Sequence, residues 1–136
     1  MAVIKGFFAG FFSTLLFHQG LLAIFYWFDL VPVAPYNWQP VAPFDVPKVV
    51  SLAFWGGVWG LALWGLFRRF QGWRYWLVAI VLGAIGPTVV AMTVVFPLKG
   101  MQVTMATWMV GLLLNGAWGL GLALFAWPMG RNRLAR

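Results

Sequence analysis

Five hydrogen-bonding side chains stand inside otherwise apolar runs of this chain: His18, Gln19, Trp59, Thr88 and Asn115. Hydrocarbon offers no water, so each must find a partner in the protein or serve a ligand. A neutral imidazole carries one donor and one acceptor, and a carboxamide carries both kinds. At a rise of ~1.5 Å per residue, His18 and Asn115 each lie roughly 16 Å from the same end of their runs. Trp59 and Thr88 come out at comparable depth. The spacing therefore predicts one polar layer, open to two readings. In the first, the layer is hydrogen-bond glue between helices, worth ~0.6 kcal/mol per bond. In the second, it binds or passes something. Candidates are a lipid, a quinone or another apolar ligand, a proton or substrate, or a haem or chlorophyll-type pigment ligated by His18. Thr14, one turn before His18, would leave room for a macrocycle.

Little else is equipped for chemistry. No Asp or Glu falls within an apolar run, which removes the membrane carboxylate that small proton-coupled multidrug antiporters need. Asp29 and Asp45 have neither metal-ligand spacing nor a partner histidine. Ser13 and Ser51 have no base within helical reach, and there is no phosphate loop or zinc motif. With no cysteine, thiol chemistry and disulfides are excluded. The expectation is a protein that is not an enzyme and holds no metal. A lipid, or a tetrapyrrole on His18, is the only cofactor the residues suggest.

The elements that position the layer follow from composition. Of 136 residues, 63% are hydrophobic and only 8% charged, and the mean hydropathy is +0.89. So little charge cannot keep a soluble domain of this size in water. The apolar runs reach the roughly 20 residues a spanning helix needs. They lack the alternation of a transmembrane barrel. The predicted fold is all-α: a single polytopic transmembrane domain over 1–136, with helices at 4–28, 49–67, 73–96 and 104–127 in an antiparallel bundle. The first run imitates a signal peptide after Lys5, but it exceeds an h-region of about 7–15 residues. It reads as an uncleaved helix.

Charge sets the orientation. Lys5, Arg68, Arg69, Arg74, Arg131, Arg133 and Arg136 fall on one side of the spans, and only Lys48 and Lys99 on the other. Positive residues stay cytoplasmic, so both termini and the 68–72 turn are expected inside. The net charge of +7 flanks spans instead of lining a soluble face, which argues against a nucleic-acid partner. Trp27, Trp38 and Trp108 are expected at the outer interface, and Trp73, Trp76 and Trp127 at the inner one. The outer loop 29–48 carries Pro32, Pro35, Pro40, Pro43 and Pro47, which favour extended backbone. It reads either as a stiff linker or as a lid presenting Tyr36, Trp38 and Phe44.

Small residues at spacing four let membrane helices approach. They occur at Gly6 and Gly10, at Ala53 and Gly57 beside Gly56 and Gly60, at Ala79 and Gly83, and at Gly111, Asn115, Gly119 and Ala123. Most should serve packing inside the bundle, with a surplus on the second and fourth helices left for a homo-oligomer or larger complex. Pro87 should kink the third helix or act as a hinge. Val58-Trp59-Gly60-Leu61-Ala62-Leu63 parallels Ala117-Trp118-Gly119-Leu120-Gly121-Leu122, which raises a parallel repeat of two hairpins.

At Ser51-Leu52-Ala53-Phe54-Trp55-Gly56-Gly57-Val58-Trp59-Gly60 and Leu112-Leu113-Leu114-Asn115-Gly116-Ala117-Trp118-Gly119, the chain resembles a group of short four-span bacterial inner-membrane proteins. Phe17-His18-Gln19-Gly20 and Phe96-Pro97-Leu98-Lys99-Gly100 fit the same pattern. The resemblance implies a bacterial origin and a four-span architecture, with no activity attached. The leading expectation is a non-enzymatic accessory or scaffold protein of the bacterial inner membrane. It would pack against itself or a larger complex through its glycine faces, with a lipid as a further partner. The alternatives are a small oligomeric transporter or pore built on His18, Gln19 and Asn115, and a His18-ligated haem or pigment protein.

Overall fold

The computed structural model describes residues 2–131. Four helices are long and apolar enough to cross a membrane: α1 (Val3–Trp27), α2 (Lys48–Phe67), α3 (Trp73–Leu98) and α4 (Met105–Arg131). Within such runs every backbone N–H and C=O must be paired locally, and the helix does this without help from the side chains. Between α1 and α2 a two-stranded antiparallel ribbon pairs β1 (Pro40–Val41) with β2 (Val46–Pro47). Arg133 and Arg136 lie outside the described residues.

Local chemistry ends the helices. At the end of α1, the Leu30 N–H reaches the Phe25 carbonyl at 2.9 Å and the Asp29 N–H reaches Tyr26 at 3.1 Å. Asp29 takes the left-handed turn at φ 55°, completing a Schellman motif. The end of α3 repeats it, with Met101 on Phe96 at 2.9 Å and Gly100 on Pro97 at 3.1 Å. Gly100 takes φ 67° there at no steric cost. At the start of α4, Thr104 and Thr107 cap each other: the Thr107 N–H meets the Thr104 hydroxyl at 3.3 Å, and the Thr104 N–H meets the Thr107 hydroxyl at 2.7 Å. This is a capping box with hydroxyls on both sides.

The helices meet through small residues. A methyl group added to Gly10 would fall on the Gly56 carbonyl, one on Gly60 on the Gly6 carbonyl, and one on Gly56 on the Thr14 hydroxyl. On Gly57 it would lie 2.5 Å from the Phe7 ring. These contacts descend along α2 as they ascend along α1. In the α3–α4 seam, a Cβ on Gly119 would stand 2.5 Å from the Ala79 carbonyl, and one on Gly83 2.7 Å from the Gly119 Cα. Gly111 faces Met92 and Thr88, where a Cβ would lie 3.0 Å and 3.1 Å from their side chains. Ala53 and Ala123 are fully buried. The expected surplus of glycine faces is thus corrected. Gly56, Gly57, Gly60, Gly111 and Gly119 all face a neighbouring helix of the same chain, Gly60 and Gly119 against its backbone and Gly56, Gly57 and Gly111 against side chains of Thr14, Phe7, Met92 and Thr88. Gly20 and Gly65 have open space beside them.

At one end of the bundle, the aromatic rings of α2, α3 and α4 gather. Phe67 and Tyr75 lie 5.1 Å apart, Tyr75 and Trp127 5.2 Å, and Trp76 stacks on Trp127 at 5.2 Å and 25°. The Tyr75 hydroxyl donates to the Ala123 carbonyl at 2.8 Å. Trp76 and Trp127, expected in an interfacial belt, therefore pack against this core. Trp73 stays outward at 69% exposure. This end also carries the start of α1 and the α2–α3 turn, so Lys5, Arg68, Arg69 and Arg74 share it; below it is called the basic end.

α3 continues through Pro87 and then widens into a π-turn at Ala91–Val95. Proline has no N–H, so the Gly83 carbonyl loses its helical donor. α1 has a matching π-turn at Thr14–His18. Such turns break the regular ladder and recur at functional sites.

Candidate functional site

The predicted layer divides into three places. His18 and Gln19 lie at the end of the α1 π-turn, beneath the outer loop. Gln19 is buried, with 1% exposure, and its Oε1 accepts the Tyr36 N–H at 2.8 Å. Its Nε2 stands 3.2 Å from the His18 Nδ1. With Oε1 occupied by a donor, the amide N–H points at Nδ1, and a neutral imidazole then holds its own proton on Nε2. His18 is half-buried.

The loop is fastened at the same point. The Tyr36 hydroxyl donates to the Leu15 carbonyl at 2.7 Å. Leu15 lies inside the π-turn, where the shift from i→i+4 to i→i+5 bonding turns a carbonyl toward partners outside the helix. Tyr36 has φ 51°, an uncommon region for a bulky residue. Its two hydrogen bonds to α1 hold it there. Two further bonds join the loop to α2, from the Val49 N–H to the Asn37 carbonyl and from the Lys48 N–H to Gln39, both at 2.9 Å. Trp38 and Phe44 point outward, 69% and 84% exposed. The proline-rich stretch is therefore a strap on the ends of α1 and α2 away from the basic end.

The second place is the α3–α4 seam. There the Asn115 Nδ2 donates to the Thr88 hydroxyl at 2.9 Å. Thr88 is fully buried. The third is the α2–α3 contact, where the Trp59 ring covers Gly86; a Cβ on Gly86 would lie 3.3 Å from it. Among the described residues no hydrogen bond joins these places. The single layer expected from depth alone becomes separate pairs, because residues at equal depth face different seams.

A pair that depth did not single out is more buried. The Ser13 hydroxyl donates to the Trp118 carbonyl at 2.6 Å, and the Trp118 indole N–H donates to the Gly10 carbonyl at 3.0 Å. Ser13 and Trp118 are 0% and 3% exposed. The signal lay in the sequence as a serine three residues after Gly10, on the face that α1 turns to its neighbours. Thr14 bonds its own helix at the Gly10 carbonyl, 3.0 Å away, and packs on Gly56. The room for a macrocycle expected beside it is occupied by α2.

A groove lies between α1 and α4 near the basic end. It is shallow and open to the surface, with a volume of about 270 Å³, and is lined by Lys5, Phe8, Ala9, Phe12 and Phe125. Its positions 5, 8, 9 and 12 form one helix face.

Chemically, the Ser13, Thr14, Gln19, Thr88 and Asn115 side chains are spent on helix and loop contacts, whereas the buried Trp64 indole N–H and the His18 Nε2 make no hydrogen bond among the described residues. No group of three or more His, Asp or Glu able to hold a metal occurs among them. Comparison with protein-family models, with curated proteins and with solved structures gives no match.

Proposed function

We propose that this chain is a non-enzymatic accessory protein of a bacterial inner membrane, built as an antiparallel four-helix bundle with both termini cytoplasmic. One observation carries the reading: Ser13, Gln19, Thr88, Asn115 and Trp118, with the small-residue seams, are spent on contacts within the chain itself. Ser13 with Trp118, Thr88 with Asn115, and Gln19 with His18 and Tyr36 make hydrogen bonds of 2.6–3.2 Å. The Ser13–Trp118 and Thr88–Asn115 pairs serve as glue between helices, and Gln19 ties the loop to α1. The opposed order of contacts in both glycine seams supports the antiparallel arrangement.

The contacts also support two repeated hairpins. Gly60 meets the Gly6 carbonyl and the Gly10 Cα, while Gly119 meets the Ala79 carbonyl and the Gly83 Cα. The Trp59 ring covers Gly86 on α3, and the Trp118 indole N–H donates to the Gly10 carbonyl on α1. One alignment relates Gly6, Gly10 and Ser13 to Ala79, Gly83 and Gly86, and Trp59 to Trp118.

A partner would dock on surfaces the bundle leaves free, above all the outer strap with Trp38 and Phe44 and the end of α1 with Trp27 and Phe28. These rings are 68–84% exposed. Apolar patches of this kind mark interfaces with membrane or protein.

The test is native mass spectrometry after gentle extraction from the source membrane. A reproducible, stoichiometric complex larger than the 15.2 kDa chain, lost on Trp38→Ser with Phe44→Ser, is expected. A bare chain would overturn the accessory reading. Orientation is checked separately by single cysteines at Arg69 and Asp45, probed from each side of the membrane. Labelling of position 69 from outside would overturn it.

A further inference from the structure

We propose that the α1–α4 groove holds one acyl chain of an anionic phospholipid, with its phosphate on Lys5. The walls are apolar: the Phe8 and Phe12 rings stack at 6.3 Å, and Phe125 closes the other side. Lys5 is the charged residue of the lining, and it is exposed at the groove's end. The span from residue 5 to residue 12 is ~10 Å along the helix axis. A groove running along a spanning helix lies parallel to the bilayer normal, as a lipid chain does. A volume of about 270 Å³ suits part of one chain and leaves the headgroup outside.

Charge selects the headgroup. Both acidic residues of the chain, Asp29 and Asp45, belong to the outer loop. Among the described residues Lys5 therefore meets no Asp or Glu at the basic end, and Arg68, Arg69 and Arg74 add to the same field. A lysine reaching from an apolar wall to the headgroup level is the usual snorkelling arrangement, and anionic headgroups are drawn to such clusters. The equivalent positions of the second hairpin are Val78, Val81, Leu82, Ile85 and Leu66. The cation is absent from that match, so the site belongs to one hairpin only.

The inference rests on the basic end lying at the cytoplasmic membrane surface. The labelling experiment reports that orientation, whereas lipid retention reports the groove, so the two failures are distinguishable. Full-length protein in mild detergent is titrated with phosphatidylglycerol or phosphatidylcholine of identical chains, and bound lipid is counted by native mass spectrometry. Retention of one phosphatidylglycerol is expected, in clear preference to phosphatidylcholine. Lys5→Gln should weaken it about fivefold, and Phe12→Ala should weaken it as well. Both residues are exposed, so both variants should unfold at the wild-type midpoint. Arg74→Gln, outside the groove, should weaken retention clearly less than Lys5→Gln does. Equal retention of both lipids would overturn the proposal. So would wild-type binding by Lys5→Gln and Phe12→Ala, or a loss on Arg74→Gln as large as that on Lys5→Gln.

Discussion

Ser13 and Trp118 clasp α1 to α4: the serine hydroxyl donates to the Trp118 carbonyl at 2.6 Å, and the indole N–H returns to the Gly10 carbonyl at 3.0 Å. Both donors are buried and both acceptors are backbone carbonyls. The clasp therefore adds hydrogen bonds to a contact whose packing is already close, since Gly121 lies against Ser13. Ser13→Ala should lower stability by ~0.6 to 1.7 kcal/mol, the range for interhelical bonds in membranes. Unfolding in mixed micelles measures it. An unchanged midpoint would show that packing alone holds α1 on α4.

Gly119→Leu and Gly10→Leu should be far more damaging than Ser13→Ala. Each drives a side chain into the backbone of the opposing helix, at Ala79 and at Gly56, and overpacking costs ~1–3 kcal/mol or more. Gly65→Leu, with open space beside it, is the control. Monodisperse yield in mild detergent separates them. Wild-type behaviour of Gly119→Leu would mean that this face of α4 looks out to lipid.

The Thr88–Asn115 pair should show weak coupling. Its bond is 2.9 Å long, and a double-mutant cycle with Thr88→Val and Asn115→Leu should give ~0.6 kcal/mol. A coupling near zero would assign the seam's stability to Ala79, Gly83 and Gly119.

Tyr36→Phe removes the donor to the Leu15 carbonyl and leaves the Tyr36 N–H on Gln19. The loss should be ~0.5–1.5 kcal/mol, confined to the strap. Hydrogen exchange should quicken in residues 30–47 and at the π-turn, with the α3–α4 seam unchanged. Unaltered exchange in the strap would mean that the Val49 and Lys48 bonds suffice to hold it.

Much of the architecture was legible because the bilayer is a demanding solvent. Four apolar runs of spanning length had to be helices, and their ends fell within a few residues of those expected. Gly100, Thr104 and Pro47 mark boundaries by ordinary turn and cap chemistry. The small residues at Gly6, Gly10, Gly56, Gly60, Gly83 and Gly119 were visible as packing faces for the same reason: only they let two backbones touch.

Tertiary structure decided which seam each residue faces. Depth is a linear property of the sequence, so His18, Trp59, Thr88 and Asn115 could be placed at one level. Azimuth around the bundle depends on how the helices choose neighbours, and two π-turns rotate the residues that follow them. Gln19, directly after the first π-turn, bonds Tyr36, while Asn115 bonds Thr88 in another seam. The same choice spends the glycines of α2 and α4 on α1 and α3. The sequence by itself determined a four-span helical chain with its charge gathered at one end. Only the packed bundle decided that Ser13, Trp118, Thr88 and Asn115 form clasps, and that the described residues leave a groove ending at Lys5 on its surface.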